Sequence, residues 1–476
     1  MFTNLGFRGK IRSVAELSNS TTEIAESDSL KSIPRRKHMA LSRKTAGIYT
    51  LGCKVNQYES QAIAEELQRL GFSMQSPTEE CDVYVINTCT VTAESDRKAR
   101  QFIRRAIGKN KNAFIIVTGC MAQTAAETVA KIEGVDAVLG NTDKLLAAKL
   151  AERLVKNGQK KTVAEIYVND INESAFEKMN ITEFERTRAY VKIEDGCESH
   201  CTYCIIPSAR GKIRSKTPLE VIDEVTALTE NGCREIVLTG IETASYGKDL
   251  KDCDLISLLE SIDRIPNIGR IRLGSLDPSM IKEEIALRMS RLDCLAPHFH
   301  LSLQSGSSRV LALMKRKYNA EQAMKAIELL RKYIPEVKFT TDIIVGFPQE
   351  TEDDFNQTVE FVKNAKFLMM HIFPYSKRAG TPAASMNGQI SGDEKSRRLH
   401  ILESTEAKIR REILENEIKK APLKQVLFET YKNGMAIGHT ADFIEVKAPS
   451  PRALHGCFAN VRLISTDGDT VVAELI

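Results

Sequence analysis

From Ala46 onward the chain switches between two hydrophobic periods. Short apolar runs rich in β-branched residues, AGIYTLG, DVYVIN and AFIIVTG, each close on glycine or asparagine. They read as strands buried on both faces. Between them lie segments with apolar residues three and four positions apart, such as Ile63, Leu67 and Leu70 ahead of Gly71, the mark of an amphipathic helix and its stop. This alternation predicts an open parallel α/β sheet over residues 46–155. A second alternation starts at AYVKIEDG and runs through EIVLTG, RIRLGS, HFHLSL, VKFTTDIIVG and FLMMHIFPY, with helical segments such as TPLEVIDEVTALTENG and AEQAMKAIELLRKY between them. Six such units over residues 183–415 predict a partial (β/α)6 barrel rather than a closed eight-stranded one. A charged helical stretch from Glu394 to Lys420 follows. Residues 421–476 then change to β-branched runs parted by Gly, Asn and Asp, which predicts a small antiparallel β-barrel. The fold class is therefore multidomain α/β.

Residues 1–45 fit neither period. They mix Ser, Thr, Glu and Asp with the basic run IPRRKHMALSRK and read as a disordered extension with a solvated basic patch. Met39 offers an alternative start. The opening MFTNLGFRGKIRSV lacks the apolar core of a signal peptide, and no apolar run is long enough to span a bilayer, so no membrane partner is expected. A net charge of +4 permits a nucleic-acid partner without requiring one. Eleven cysteines, an odd number, speak for a reducing cytoplasm and against a disulfide framework.

The cysteines have a pattern of their own. Cys53, Cys89 and Cys120 each follow one of the first three strands, one strand–helix repeat apart. Open parallel sheets gather ligands at these carboxyl ends, so the three thiols are expected to meet. Three thiols packed as small apolar side chains are the alternative. Structural zinc is disfavoured, since its cysteines usually come in close pairs and close four ligands. Cys197, Cys201 and Cys204 stand in GCESHCTYCIIP at spacing C-x-x-x-C-x-x-C, just after the first barrel strand. Thiolates are the ligands that iron–sulfur clusters select, and three of them leave one iron of a four-iron cluster open. His200, inside the same loop, is expected to be exposed. Polar residues collect after the barrel strands: Thr239, Gly240 and Glu242, then Ser275 and Asp277, then Gln304.

The cysteine triplet, with Tyr203 before its last member, resembles the radical S-adenosylmethionine superfamily. Upstream LGCKVNQYES, INTCTVTAESDRKAR and VTGCMAQ, with downstream LTGI, SLQSGS, GFPQET and FPYSKRAGTPAA, together resemble its methylthiotransferases over residues 46–476. GCKVNQYES is most similar to the branch called MtaB, which acts on tRNA carrying N6-threonylcarbamoyladenosine. Other branches act on isopentenyladenosine in tRNA or on a ribosomal-protein aspartate, and these stand as alternatives. Ser208, where the family usually has tyrosine, and Asp277, where it commonly has glutamate, depart from the pattern.

The resemblance implies two 4Fe-4S clusters. Cys197, Cys201 and Cys204 would hold the one that binds and cleaves S-adenosylmethionine. Cys53, Cys89 and Cys120 would hold an auxiliary one that supplies the methylthio group, with two S-adenosylmethionine molecules used per turnover. Tyr203, Thr239, Gly240, Glu242, Ser275 and Gln304 would contact the cofactor. The reaction would place a methylthio group on the C2 carbon of the modified adenine beside the anticodon. The implied partners are the tRNA and an electron donor such as flavodoxin or ferredoxin, with the sulfur donor open. The carboxyl-terminal barrel corresponds to the module called TRAM, which binds RNA. Asn56 and Asn87 could donate to cluster sulfurs, local turn capping being the other reading. The basic helix carrying Arg97, Lys98, Arg100, Arg104 and Arg105 is a candidate contact for the tRNA backbone.

Overall fold

The computed structural model describes residues 44–184, 187–420 and 422–476. The predicted extension at 1–45 lies almost wholly outside them. The amino-terminal part is a six-stranded parallel sheet of order β2-β1-β3-β4-β5-β6. Its elements are β1 (Thr45–Thr50), α1 (Lys54–Arg69), β2 (Ser73–Met74), β3 (Val83–Thr88), α2 (Ala93–Lys109), β4 (Phe114–Gly119), α3 (Cys120–Thr124), α4 (Ala126–Ala130), β5 (Ala137–Leu139), α5 (Leu146–Asn157) and β6 (Glu165–Tyr167). Its central strands are buried on both faces. Ile63 and Leu67 of α1 and Ala147 and Leu154 of α5 cover one face, and Ala99 and Ile103 of α2 with Met121 of α3 cover the other. The sheet runs on through β5 and β6, past residue 155. Those strands are only three residues long and carry little period to read.

The second part comprises β7 (Arg188–Lys192), β8 (Glu194–Asp195), α6 (Ile206–Arg210), β9 (Arg214–Ser215), α7 (Pro218–Glu230), β10 (Glu235–Thr239), α8 (Leu255–Ile262), β11 (Arg270–Leu273), β12 (Ser275–Leu276), α9 (Glu283–Met289), β13 (His298–Gln304), α10 (Ser308–Leu313), α11 (Ala320–Tyr333), β14 (Lys338–Val345), α12 (Glu352–Ala365) and β15 (Met369–Pro374). The order β11-β10-β7 on one side and β12-β13-β14-β15 on the other, all parallel, makes a six-unit wall with β11 and β12 as one run bent at Gly274. Period two divides it cleanly: Phe299, Leu301 and Leu303 of β13 join the helix-side core, which leaves His298, His300, Ser302 and Gln304 toward the lumen.

The wall is open between β7 and β15, and α1 packs against β7 there. Tyr58 of α1 donates to Met179 O at 2.6 Å and to Glu224 Oε1 at 3.0 Å, so both long faces of α1 are used. Beyond α13 (Pro382–Ser385) and α14 (Gly392–Lys420), β16 (Leu423–Lys432), β17 (Met435–Thr440), β18 (Glu445–Pro449), β19 (Phe458–Thr466) and β20 (Val471–Leu475) close a five-stranded barrel.

This small barrel sits on the amino-terminal rim of the larger one. Glu429 binds Arg188, Arg272 donates to Ala441 O, and Phe443 stacks on His298 with ring centroids 4.3 Å apart. Asp442 is buried against Lys424 and Lys338. It therefore serves the interface between the barrels. No helix among the described residues is long and apolar enough to cross a membrane.

Candidate metal centre

Register brings the first three cysteines together. Thr88 of β3 pairs with Gly119 of β4, so Cys89 and Cys120 leave neighbouring strands at one level, a strand spacing of about 4.8 Å apart. Thr50 pairs with Asn87, and the turn after β1 folds back onto Cys89. Gly52, at φ +102°, is pressed so close that a Cβ there would lie 2.8 Å from Cys89 Cβ and 3.0 Å from its sulfur. Gly119, at φ +100°, allows the same tight exit from β4, where a Cβ would lie 2.3 Å from Thr88 O. Both glycines occupy backbone that side chains rarely adopt, and both let the thiols converge.

The thiols feel one another. Burial pushes Cys89 up to about 11, with Cys120 and Cys53 adding repulsion. Burial also raises Cys53, opposed by the Arg210 guanidinium and reinforced by Cys120. Cys53 is exposed, whereas Cys89 and Cys120 are buried. Sulfurs that resist ionising side by side form a site for a cation, whose binding displaces their protons.

The second trio lies in the loop between β8 and α6. Burial pushes Cys197 up to about 12, with help from the Glu242 carboxylate, and Cys204 up to about 11. Cys197 Sγ donates to Glu242 Oε2 at 3.2 Å, and Ser199 N donates to Cys197 Sγ at 3.4 Å. Arg316 Nη1 donates to Cys201 Sγ at 3.4 Å, while its Nη2 holds Asp277 Oδ2 at 3.0 Å and Ser302 O at 2.8 Å. The two trios face each other. The α3 helix, which begins at Cys120, packs on α6, which begins just after Cys204, and Cys120 is among the charges that raise Cys204.

Among the described residues no three His, Cys, Asp or Glu side chains surround one point closely enough for a single ion. A lone tetrahedral ion would need sulfurs about 2.3 Å from it. An all-sulfur donor set suits iron and sulfide.

Between the trios runs a buried ionic network. Glu59 takes Lys192 at 2.8 Å, Lys144 at 3.2 Å and the Arg210 guanidinium. Asp195 takes Lys192 at 2.7 Å and Arg210 at 3.2 Å. Burial works against the Glu59 charge, yet Arg210, Lys144 and Lys192 hold its carboxyl well below the ordinary range.

The side-chain amides of Asn56 and Asn87 do not donate to sulfur. Asn56 Nδ2 donates to Leu51 O and Thr88 O, and Asn87 Nδ2 to Asn56 O and Ser60 Oγ. They fasten the turns that aim the cysteines. The amide at a sulfur is Asn141, which donates to Cys120 Sγ at 3.6 Å and to Ala209 O at 2.8 Å.

Thr239 and Gln304 end their strands, Gly240 and Glu242 follow β10, and Ser275 opens the short β12. A Cβ on Gly240 would lie 2.5 Å from Glu194 Oε2. Gln304 has φ +74° at a register shift between β13 and β14, strained backbone of the kind found at ligand sites. Tyr203 sits edge-on to Phe347 at 6.5 Å. His200 and Ser208 are exposed.

Residues 191–362 match the family described as Radical SAM superfamily, and residues 45–140 match Uncharacterized protein family UPF0004. The chain is 39% identical over 425 residues, 88% of its length and 94% of the relative's, to the Bacillus subtilis (strain 168) protein named Threonylcarbamoyladenosine tRNA methylthiotransferase MtaB. A Thermotoga maritima protein of the same name is 38% identical over 90% of this chain and 96% of that one. The Aquifex aeolicus protein named tRNA-2-methylthio-N(6)-dimethylallyladenosine synthase is 32% identical over 90% of this chain and 98% of that one. Among solved structures, the radical S-adenosylmethionine methyltransferase TsrM from Kitasatospora setae superposes with a TM-score of 0.54 at 15% identity, covering 72% of this chain and 77% of that one. That likeness concerns the fold alone.

Proposed function

The chain belongs to the radical S-adenosylmethionine methylthiotransferases, and from that premise we propose that it methylthiolates the C2 carbon of N6-threonylcarbamoyladenosine in tRNA. Cys197, Cys201 and Cys204 would hold one 4Fe-4S cluster and Cys53, Cys89 and Cys120 another. With S-adenosylmethionine these groups supply one-electron cleavage of a sulfonium and delivery of a methylthio unit, chemistry beyond any acid or base in the chain.

The chain's own part is placement. The α3–α6 contact and the Glu59–Arg210–Asp195 network fix the distance between the trios, so that a base held between them stays within reach of both. Tyr203, Thr239, Gly240, Glu242, Ser275 and Gln304 are the proposed cofactor contacts. Helix α1 packs on β7 at one side of the gap between β7 and β15 and narrows the way for water to the reacting atoms. Arg316 and Asn141 direct N–H groups at sulfur, which tunes a cluster's potential.

The observation that carries the reading is the packing of the helix that begins at Cys120 on the helix that follows Cys204, in a chain that matches its tRNA-modifying relatives over most of its length. The arginines of α2 and the small carboxyl-terminal barrel are the surfaces proposed to meet tRNA. An electron donor such as flavodoxin or ferredoxin would complete the system. Nucleoside analysis of tRNA from a strain lacking the gene tests this. Loss of 2-methylthio-N6-threonylcarbamoyladenosine, restored by the intact gene, is the expected result. Loss of a methylthiolated dimethylallyladenosine would instead assign the substrate of the Aquifex relative.

A further inference from the structure

The lumen of the larger barrel carries many cations, and nearly all have a partner. Arg188 binds Glu235 and Glu429. Arg270 and Arg272 bind Glu235 at 3.0 Å each. Lys192 binds Glu59 and Asp195. Arg316 binds Asp277, and Lys338 binds Glu417 and Asp442.

Lys54 is the exception. It is the first residue of α1, directly after Cys53, and among the described residues no carboxylate or hydrogen-bond acceptor holds its ammonium. Its electrostatic neighbours are lumen groups: Arg272, Asp342 and Arg188. Asp342 is itself engaged by His300 at 3.2 Å. Lys54 shares a helix face with Gln57 and Gln61, at three- and seven-residue spacing. Both glutamines line a cavity of about 470 Å³ with Arg188 and Tyr190. The cation therefore stands at the inner end of a polar helix face that borders a hollow, beside the thiol trio.

Among the described residues the carboxylate that faces this ammonium, Asp342, is shared with His300 and makes no ion pair with it. A half-buried cation so weakly matched costs stability, and an anion beside the reaction site would offset that cost. The substrate proposed above offers one. Its N6 substituent is a urea ending in the carboxylate of threonine. C6 and C2 flank the same ring nitrogen, so this tail leaves the purine on the edge that reacts. The dimethylallyl group of the sister substrate has no charge at all.

We propose that Lys54 binds the carboxylate of the threonylcarbamoyl group and so selects the acidic nucleoside over an apolar one. This inference rests on the tRNA reading above. It makes Lys54 a specificity-determining residue for a reaction that the thiol trios carry out.

The test uses the full-length, cluster-loaded protein and synthetic anticodon stem-loops carrying N6-threonylcarbamoyladenosine, its threonyl methyl ester, or plain adenosine. Binding is read by fluorescence anisotropy and methylthiolation by mass spectrometry. The natural protein is expected to bind the free acid about ten- to a hundredfold more tightly than the ester, the weight of one charge-assisted hydrogen bond. Lys54→Met is expected to bring that ratio close to one, and Lys54→Arg to keep most of it. The same loss should appear chiefly in KM. Binding of the same stem-loops to the apoprotein repeats the comparison without turnover, and thermal unfolding of both variants reports on folding. A preserved acid-to-ester ratio in Lys54→Met overturns the assignment of Lys54 while leaving the tRNA reading intact. Failure of the natural protein to methylthiolate the free-acid stem-loop overturns both.

Discussion

Arg210 donates through Nη2 to Asn56 Oδ1 at 2.5 Å, and this bond ties the helix after Cys204 to the helix after Cys53. Asn56 in turn binds the carbonyls that precede Cys53 and Cys89. One guanidinium thus holds the register between two sets of thiols that are far apart in the chain.

Removing that guanidinium should be costly. Arg210→Gln leaves Glu59 and Asp195 buried with fewer counter-charges, and the expected loss is about 3–5 kcal/mol. Adding Glu59→Gln should return part of it, since the two sites share one network. Denaturant unfolding of the single and double variants checks this. A double variant that loses as much as Arg210→Gln and Glu59→Gln added together would mean that the pair is not coupled.

Iron content separates the trios. Reconstituted without oxygen, the protein is expected to bind about eight irons as two cubanes. Cys53, Cys89 and Cys120 changed together to alanine should leave about half of that, with S-adenosylmethionine cleavage retained and methylthiolation lost. Full iron in the triple variant would rule out the upstream trio as ligands.

Arg316 places a cation 3.4 Å from Cys201 Sγ. Replacing it with methionine should make the downstream cluster harder to reduce, by on the order of 60 mV for an interaction of about 1.4 kcal/mol. A redox titration followed by electron paramagnetic resonance reads the shift. A potential unchanged or raised would deny the arginine this influence.

Glu177 gives a pH signature. Burial pushes its carboxyl from 4.5 up to about 7, against the N–H that Leu145 donates at 3.0 Å. Within that window the folded chain keeps a proton that the unfolded chain has lost. Stability therefore falls as pH rises through it, and the deficit is complete above. Glu177→Gln should be more stable than the natural protein by about 1–3 kcal/mol near pH 8 and no different near pH 4. Urea melts at both ends check the sign, and a constant gap between the two proteins would refute the link to ionisation.

The basic helix can be tested by salt. In α2, Arg97 and Lys98 already face Glu94, and Arg100, Arg104 and Arg105 are among its open charges. Changing these three to glutamine should weaken tRNA binding and flatten the dependence of log K on log salt by about 0.7–0.9 for each phosphate no longer neutralised. An unaltered slope would return the helix to the solvent.

Much of this arrangement is legible in the sequence because periodicity and strand ends are local signals. The runs ending at Cys53, Cys89 and Cys120 announce parallel strands, and parallel strands announce where their ends meet. The rest is set by packing between domains. In α1 the apolar positions Ile63 and Leu67 tell of one face, but Asn56, Tyr58 and Glu59 are buried as well, against the barrel. Polar letters read as solvent-facing until a partner surface is known.

Asn141 is hidden for a different reason. It follows a three-residue strand too short to show a period, so its place at a strand end, the very feature that marks the cysteines, does not show. Arg316 follows a short helix in a basic stretch and reads as surface charge.

Phe443, stacked between His298 and His439 with Arg188 and Arg272 over its ring, corks the larger barrel at its lower rim. A vessel stoppered at its base passes nothing there, so the traffic of reagent and product is turned toward the strand ends, where Cys197 follows the first barrel strands, or toward the gap beside β7.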